Sequence, residues 1–154
     1  MPVLSSPRIR LRPRETADDE FIQRLGELAF GEYSRDAKHS TLPMARSGQT
    51  WIAERGGAPV GFAIARDSGE ACMELCAIAV EEHARGVGVG ATLLAHVERE
   101  LARAGTLVLT LHTAEANASA LELFVKCGFR SDRRLPRYYR GVYDAWQMHK
   151  RIAE

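Results

Sequence analysis

Few things in this sequence are extreme, and what is scarce narrows the field first. No apolar run approaches the ~20 residues that a membrane-spanning helix needs. The segment Met1 to Arg14 alternates polar, proline and arginine residues and lacks the apolar stretch of a secretory signal. Three cysteines, Cys72, Cys76 and Cys127, are an odd number with no CxxC spacing, which argues against a disulfide framework, a zinc ribbon or a redox motif. They are expected to be reduced thiols in a cytoplasmic protein without metal. There is no excess of either charge: 21 Lys and Arg face 20 Asp and Glu, for a formal net charge of +1. That balance excludes a polybasic nucleic-acid binder and an acidic disordered tail, although a local patch can hide in the sum. There is also no internal repeat, low-complexity tract or inter-domain linker. At 154 residues the chain is expected to be one domain, 1–154.

What is present alternates between strand and helix patterns. Arg8 to Arg12 alternates charged and aliphatic residues, which predicts a half-buried strand. Thr16 is placed to cap a helix with Phe21, Leu25 and Leu28 on its inner stripe. A second helical piece over residues 32–44 is closed by Pro43 and Gly48. Trp51 to Glu54 and Val60 to Ala65 flank Gly56-Gly57 as a hairpin. Ser68-Gly69 forms the next turn. Residues 71–80, ACMELCAIAV, are apolar on both alternating faces except at Glu74, the pattern of a strand covered on both sides. A helix over 87–104, with Leu93, Leu94, Val97 and Leu101 inward, ends at Gly105. Thr106 to Thr113 reads as a strand, Asn117 to Cys127 as a short helix ended by Gly128, and 129–135 with 142–149 as a last pair of strands. The order predicts a mixed, mostly antiparallel central sheet of six to seven strands in an α/β domain, with helices on both faces.

The chemistry concentrates between the apolar strand and the long helix, at Arg85-Gly86-Val87-Gly88-Val89-Gly90. Glycines let a ligand approach the backbone closely. The unpaired amides of a helix N-terminus and its dipole favour phosphate, and an arginine adds a full charge. The loop therefore reads as a pyrophosphate cradle. A P-loop is excluded, because no lysine stands in it. A dinucleotide fingerprint fits Gly86, Gly88 and Ala91. However, five residues separate Val80 from Gly86, about 70 residues precede the strand, and the next strand ends at His112 without an acidic residue for a ribose. A glycine-rich turn without a ligand is the remaining alternative.

Ile78-Ala79-Val80, the run Arg85 to Gly90 and Leu93-Leu94 resemble the acetyl-CoA-binding motif of the GNAT N-acetyltransferase superfamily, whose pattern [RQ]xxGx[GA] is matched by Arg85, Gly88 and Gly90. Asn117, Ala120, Leu123, Gly128 and Phe129 resemble the family's Asn-helix-GF segment. RIRLRPRETADD and VGFAI are also similar, so the resemblance covers nearly the whole chain. It implies the GNAT acyl-CoA fold and transfer of an acetyl group from acetyl-CoA to a primary amine by direct attack in a ternary complex. It places the pyrophosphate on Arg85, Gly86, Val87, Gly88, Val89 and Gly90. The pantetheine arm would lie along Ile78, Ala79 and Val80 and beside Asn117, Ala120 and Phe124.

The acceptor implied is a protein, peptide or small-molecule amine, with neither nucleic acid nor membrane as partner. Homodimers are common in the family. Many members protonate the departing thiolate with a tyrosine where this chain has Phe124; Tyr138 or Tyr139 can stand in, or the thiolate leaves unassisted. Glu74, the one charge in its strand, and His112, of a residue type that ordinarily titrates near ~6.5, are the candidate general bases. If their two strands pair, both can work through one water. The segment Arg137-Tyr138-Tyr139-Arg140, with Asp144-Ala145 and Met148, resembles the C-terminal hairpin of RimI-type protein N-terminal acetyltransferases, where a tyrosine pair holds the substrate peptide. The alternative readings of that segment are plain packing or a dimer contact. His39, His83, His96 and His149 show no ligand spacing and are expected at the surface. A non-catalytic acyl-CoA-binding or regulatory module is the competing function.

Overall fold

Alternation along the strands explains how two cores form on one sheet. On β2 (Gln49–Arg55), Trp51 and Ala53 belong to one buried cluster and Ile52, between them, to another. Successive strand side chains point to opposite faces, so the clusters lie on opposite sides of the sheet. One contains Leu93, Leu94, Val97 and Leu101 of α3 (Val89–Arg103) and Phe124 of α4 (Ala118–Lys126). The other contains Ile22 and Leu25 of α1 (Asp19–Phe30) and Ala45 of α2 (Ala37–Ser47). The computed structural model describes residues 8–34 and 37–154, and of 37–39 the backbone only. The side chain of His39 and the segment 1–7 lie outside the described residues.

The remaining strands are β1 (Ile9–Pro13), β3 (Ala58–Gly69), β4 (Cys72–Val80), β5 (Val108–Ala114), β6 (Arg130–Tyr139) and β7 (Tyr143–Arg151). The seven-stranded order is β1-β2-β3-β4-β5-β7-β6. Every neighbouring pair is antiparallel except β4 with β5. The mixed, mostly antiparallel sheet with helices on both faces is thus as expected.

Several local expectations are corrected. Thr16 is exposed and does not cap α1. It opens a short 3-10 turn in which the Asp18 carboxylate accepts the Glu15 amide at 2.7 Å. Asp18 is buried and also takes Arg12 on both oxygens, at 2.7 and 2.8 Å. The Arg12 guanidinium holds this carboxyl below its ordinary range. Leu28 is 73% exposed, and Ile22 fills the inward position in its place. Pro43 lies inside α2 and does not close it. β3 runs through Ser68-Gly69, and the chain reverses at Glu70-Ala71. The helix expected from Val87 begins at Val89. His96 is half-buried, which lowers its pKa, while His149 keeps a partly exposed side chain with Nδ1 2.5 Å from Asp132 Oδ1.

Candidate active site

The site originates in one extra residue on β4. Ile64 pairs with Ala77 and Ala65 with Leu75, so Cys76 is a bulge. The bulge reverses the side-chain alternation. Met73 and Leu75 join the core beneath α3, whereas Ala77 and Ala79 join the core beneath α1. The expected strand with two equally covered faces is instead one that switches faces halfway and alternates buried with half-buried residues. On its other edge, β4 pairs with β5 only from Cys72–Leu75 against Val108–Leu111. Beyond that point β5 stays with β7 up to Ala114, and β4 is left open. The strands splay, and the backbone of Ala77 to Val80 lines the gap. An unpaired strand edge that faces a cleft can accept an extended chain.

A cavity of about 240 Å³ fills the splay, lined among others by Cys76, Ile78, His112, Asn117, Phe124 and Tyr139. A groove of about 590 Å³ runs on from it past Ile78–Val80, Arg85, Gly86, Gly88–Gly90 and the start of α4. Ile78, Asn117 and Ala120 line both.

The glycine loop closes the far end of the groove. Gly86 and Gly88 have φ of 84° and 85°, values that L-residues with side chains adopt only at a cost. A Cβ built on either meets nothing within 4 Å, so the space in front of the loop is open. The first backbone bond of α3 runs from Thr92 to Gly88, and the amides ahead of Thr92 have no carbonyl of their own helix to bond. Arg85 reaches back, its Nε donating to the Val80 carbonyl at 3.2 Å. Val87 is exposed, and Val89 sends its side chain into the core, leaving only its amide for the groove. Gly90 serves helix packing, since a Cβ there would stand 3.3 Å from Leu123 Cδ2; its absence lets α3 and α4 approach. An array of donors without acceptors at a helix N-terminus fits a phosphate chain.

Asn117 caps α4, accepting from the Ala120 amide and the Ser119 hydroxyl, each at 3.3 Å. Its helix presents Ala120 and Phe124 to the cavity. Phe124 is buried against Phe129 with ring centroids 5.7 Å apart and brings no hydroxyl.

The opposite wall carries the titratable groups. β4 and β5 do pair at Glu74 and Thr110, which sets Glu74 and His112 on the same face of the sheet. Their environments differ. His112 lines the cavity and stacks on Tyr138 at 5.0 Å. Glu74 is not among the cavity's lining residues; Arg66 of β3 holds it with Nη2 at 3.2 Å from Oε2. Tyr139 lines the cavity and touches Tyr138 with ring centroids at 4.9 Å. Burial, then Tyr138 and Glu74, push the Tyr139 phenol above its ordinary value, so it remains a proton donor. Burial and Glu74 likewise push the Cys76 thiol up to about 11. Asp144 takes Arg134 at 2.7 Å and the Arg137 amide at 2.8 Å, while Ala145 and Met148 are core residues.

Sequence reading missed the outer rim of this wall. Tyr33, just beyond α1, stands 6.0 Å from Tyr139 and 5.1 Å from Tyr143. The Tyr143 hydroxyl donates to Glu32 at 3.4 Å. These residues are about a hundred positions apart and belong to no local pattern that could have joined them. Among the described residues, no group of three or more His, Cys, Asp or Glu could hold a metal ion, and no helix is long and apolar enough to cross a membrane.

The acetyltransferase (GNAT) family model matches residues 15–129. An IAA acetyltransferase from Bacillus cereus is similar in structure with a TM-score of 0.78 and 25% identity, over 94% of this chain and 99% of that one. The ribosomal-protein-S18-alanine N-acetyltransferase of Escherichia coli has a TM-score of 0.77 at 23% identity, over 96% of each chain. A putative acetyltransferase from Salmonella typhimurium, solved with its cofactor acetyl-CoA, has a TM-score of 0.81 at 19% identity, over 95% of each. No curated protein matches the chain.

Proposed function

The chain belongs to the GNAT family of acetyl-CoA-dependent N-acetyltransferases, and from that premise we propose that its groove holds acetyl-CoA while the splay between β4 and β5 is where a primary amine takes the acetyl group by direct attack. The observation that carries this reading is the continuity of three features. The open amide array at Gly86 and Gly88, the unpaired edge of β4 and the cavity beneath Tyr139 follow one another along a single cleft. The acceptor is a peptide or protein amine, or a small-molecule amine.

In this reading, Gly86 to Gly90 hold the pyrophosphate through their amides, and Arg85 adds charge at the mouth of the loop. Ala77 to Val80 bond the extended arm as a strand would. Asn117 and Ala120 bound its other side. Bound acetyl-CoA supplies an acyl group already activated as a thioester. Amides at the splay face the carbonyl and oppose charge that develops on its oxygen. An alkyl ammonium, ordinarily protonated to a pKa near ~10, must lose a proton before it attacks. His112, on the cavity wall, takes that proton from the ammonium directly or through one water. Glu74, tied to Arg66, contributes as a nearby carboxylate on the same face. Tyr139 donates to the departing sulfur in place of the hydroxyl that Phe124 lacks. Cys76 stays a thiol at neutral pH, which favours direct attack over an acetyl-cysteine intermediate, because the thiolate is the nucleophile.

The test is release of free CoA thiol from acetyl-CoA in the presence of an amine panel. Amine-dependent release with a matching N-acetylated product supports the proposal. Tight CoA binding without release on any amine overturns it in favour of a binding module.

A further inference from the structure

The C-terminal hairpin carries a charge that the rest of the chain does not share. Between Arg130 and Arg151 stand seven cationic side chains and two carboxylates, in a chain whose formal net charge is +1. The hairpin is strongly positive, so the remainder is on balance negative. Arg130, Lys150 and Arg151 stand at the far end of the hairpin, against the start of β5, whereas Arg137 and Arg140 stand beside the acceptor cavity, to which the hairpin brings Tyr138 and Tyr139.

Two of these arginines hold a backbone conformation that arginine rarely adopts. Arg137 has φ of 53° and Arg140 of 57°; the only other non-glycine residue with positive φ among the described residues is Ala71. Arg140 and Gly141, with φ of 68°, are the central pair of a turn closed by the Val142 amide on the Tyr139 carbonyl at 3.0 Å. Asn or Gly is the common residue where arginine stands here. Arg137 is fixed by its amide on Asp144. The two bracket Tyr138-Tyr139. Neither guanidinium has a carboxylate partner among the described residues. Arg140 Nη1 donates to the Glu32 backbone carbonyl at 3.2 Å, across the rim of the site, whereas neighbouring Arg134 is taken up by both Glu115 and Asp144. Strained residues retained beside a catalytic cleft point to use of their side chains. A guanidinium without an acid of its own presents a fork that matches a carboxylate.

We infer that Arg137 and Arg140 select the acceptor, and that it is an amine bearing carboxylates a short distance from the attacking nitrogen, such as an acidic peptide terminus or an acidic amino acid. This rests on the transferase reading above and gives it a substrate class. The field of the hairpin attracts such an acceptor, and the guanidiniums orient its amine toward His112.

The experiment compares Ala-Glu-Glu amide with Ala-Gln-Gln amide as acceptors, with free glutamate as a separate arm that distinguishes a peptide from a small molecule. Calorimetric titration of the N-acetylated acidic tripeptide reads binding independently of turnover. The expected result is a kcat/KM about tenfold higher for an acidic acceptor than for its neutral match, the scale of one charge-assisted contact. The difference should reside in KM and shrink as salt rises from ~0.1 M to ~1 M. Arg137→Asn with Arg140→Asn suits both left-handed positions, preserves the fold and should bring the ratio toward one. Equal kcat/KM on acidic and neutral acceptors, or a preference that survives in the double variant, overturns the inference while leaving the transferase standing. Absence of thiol release with every amine, together with no binding of the acidic product, overturns both.

Discussion

The two ends of the cleft are made of different material. The groove end is backbone: glycine amides, a helix N-terminus and an open strand edge, all within residues 77–91. The end proposed for the acceptor is side chain: Tyr33, His112, Tyr139 and Tyr143, with Glu74 and Arg66 behind them, from segments that only the folded sheet brings together. A backbone site tolerates sequence change as long as conformation is kept. A side-chain site can be rebuilt one residue at a time. The first suits a cofactor shared by a family and the second an acceptor particular to one member.

Substitutions should separate the two ends. Gly88→Glu should be the most severe. It forces a side chain into a left-handed position, at ~1–2 kcal/mol, and puts a negative charge where phosphate is to sit. CoA affinity by titration should fall at least ~100-fold, about 3 kcal/mol, in a protein that still folds. Unchanged affinity would mean that the cradle lies elsewhere. His112→Ala acts at the other end and should leave CoA affinity intact while lowering kcat ~100-fold, the lower range for loss of a general base. If CoA binding fell with kcat, the division between the ends would be wrong. Tyr139→Phe should lower kcat about tenfold, less than the loss of the base, because a thiolate is a fair leaving group unaided. Since the phenol is held above its ordinary value near ~10, the rate in the unsubstituted protein should not decline through tyrosine ionisation below that pH. Cys76→Ala should have the smallest effect, within about twofold in kcat, because a thiol with a pKa of about 11 is almost wholly protonated at pH 7 to 9. A large loss there would point to a covalent intermediate.

The same division explains how much could be read from the sequence. The shape of the glycine loop was legible because it lies in consecutive residues and in a conformation, positive φ at Gly86 and Gly88, that only certain residues adopt cheaply. Asn117 was read as the start of a helix, and the structure shows that its side chain caps that helix on the Ala120 amide. The order of elements followed from periodicity. The bulge at Cys76 was not legible: in ACMELCAIAV every residue but one is apolar, so a change of face leaves no mark on the pattern. The helix start was misassigned because the chain enters α1 through a 3-10 turn, which puts Asp18, with its carboxylate on Arg12 and the Glu15 amide, at the N-cap position in place of Thr16. Leu28 keeps the helical spacing but lies on the groove side of α1, where no second layer covers it. Tyr138 and Tyr139 were alternatives raised by the missing hydroxyl at Phe124; that Tyr139 lines the cavity and that Tyr33 stands beside it follows from the fold alone.

The most direct test of the central claim, one cleft in which an amine attacks bound acetyl-CoA, is initial-rate kinetics with both substrates varied. Direct attack predicts intersecting reciprocal plots, thiol release that depends wholly on the amine, and no acetylated protein by intact mass. Parallel plots with an acetylated enzyme formed from acetyl-CoA alone would contradict it.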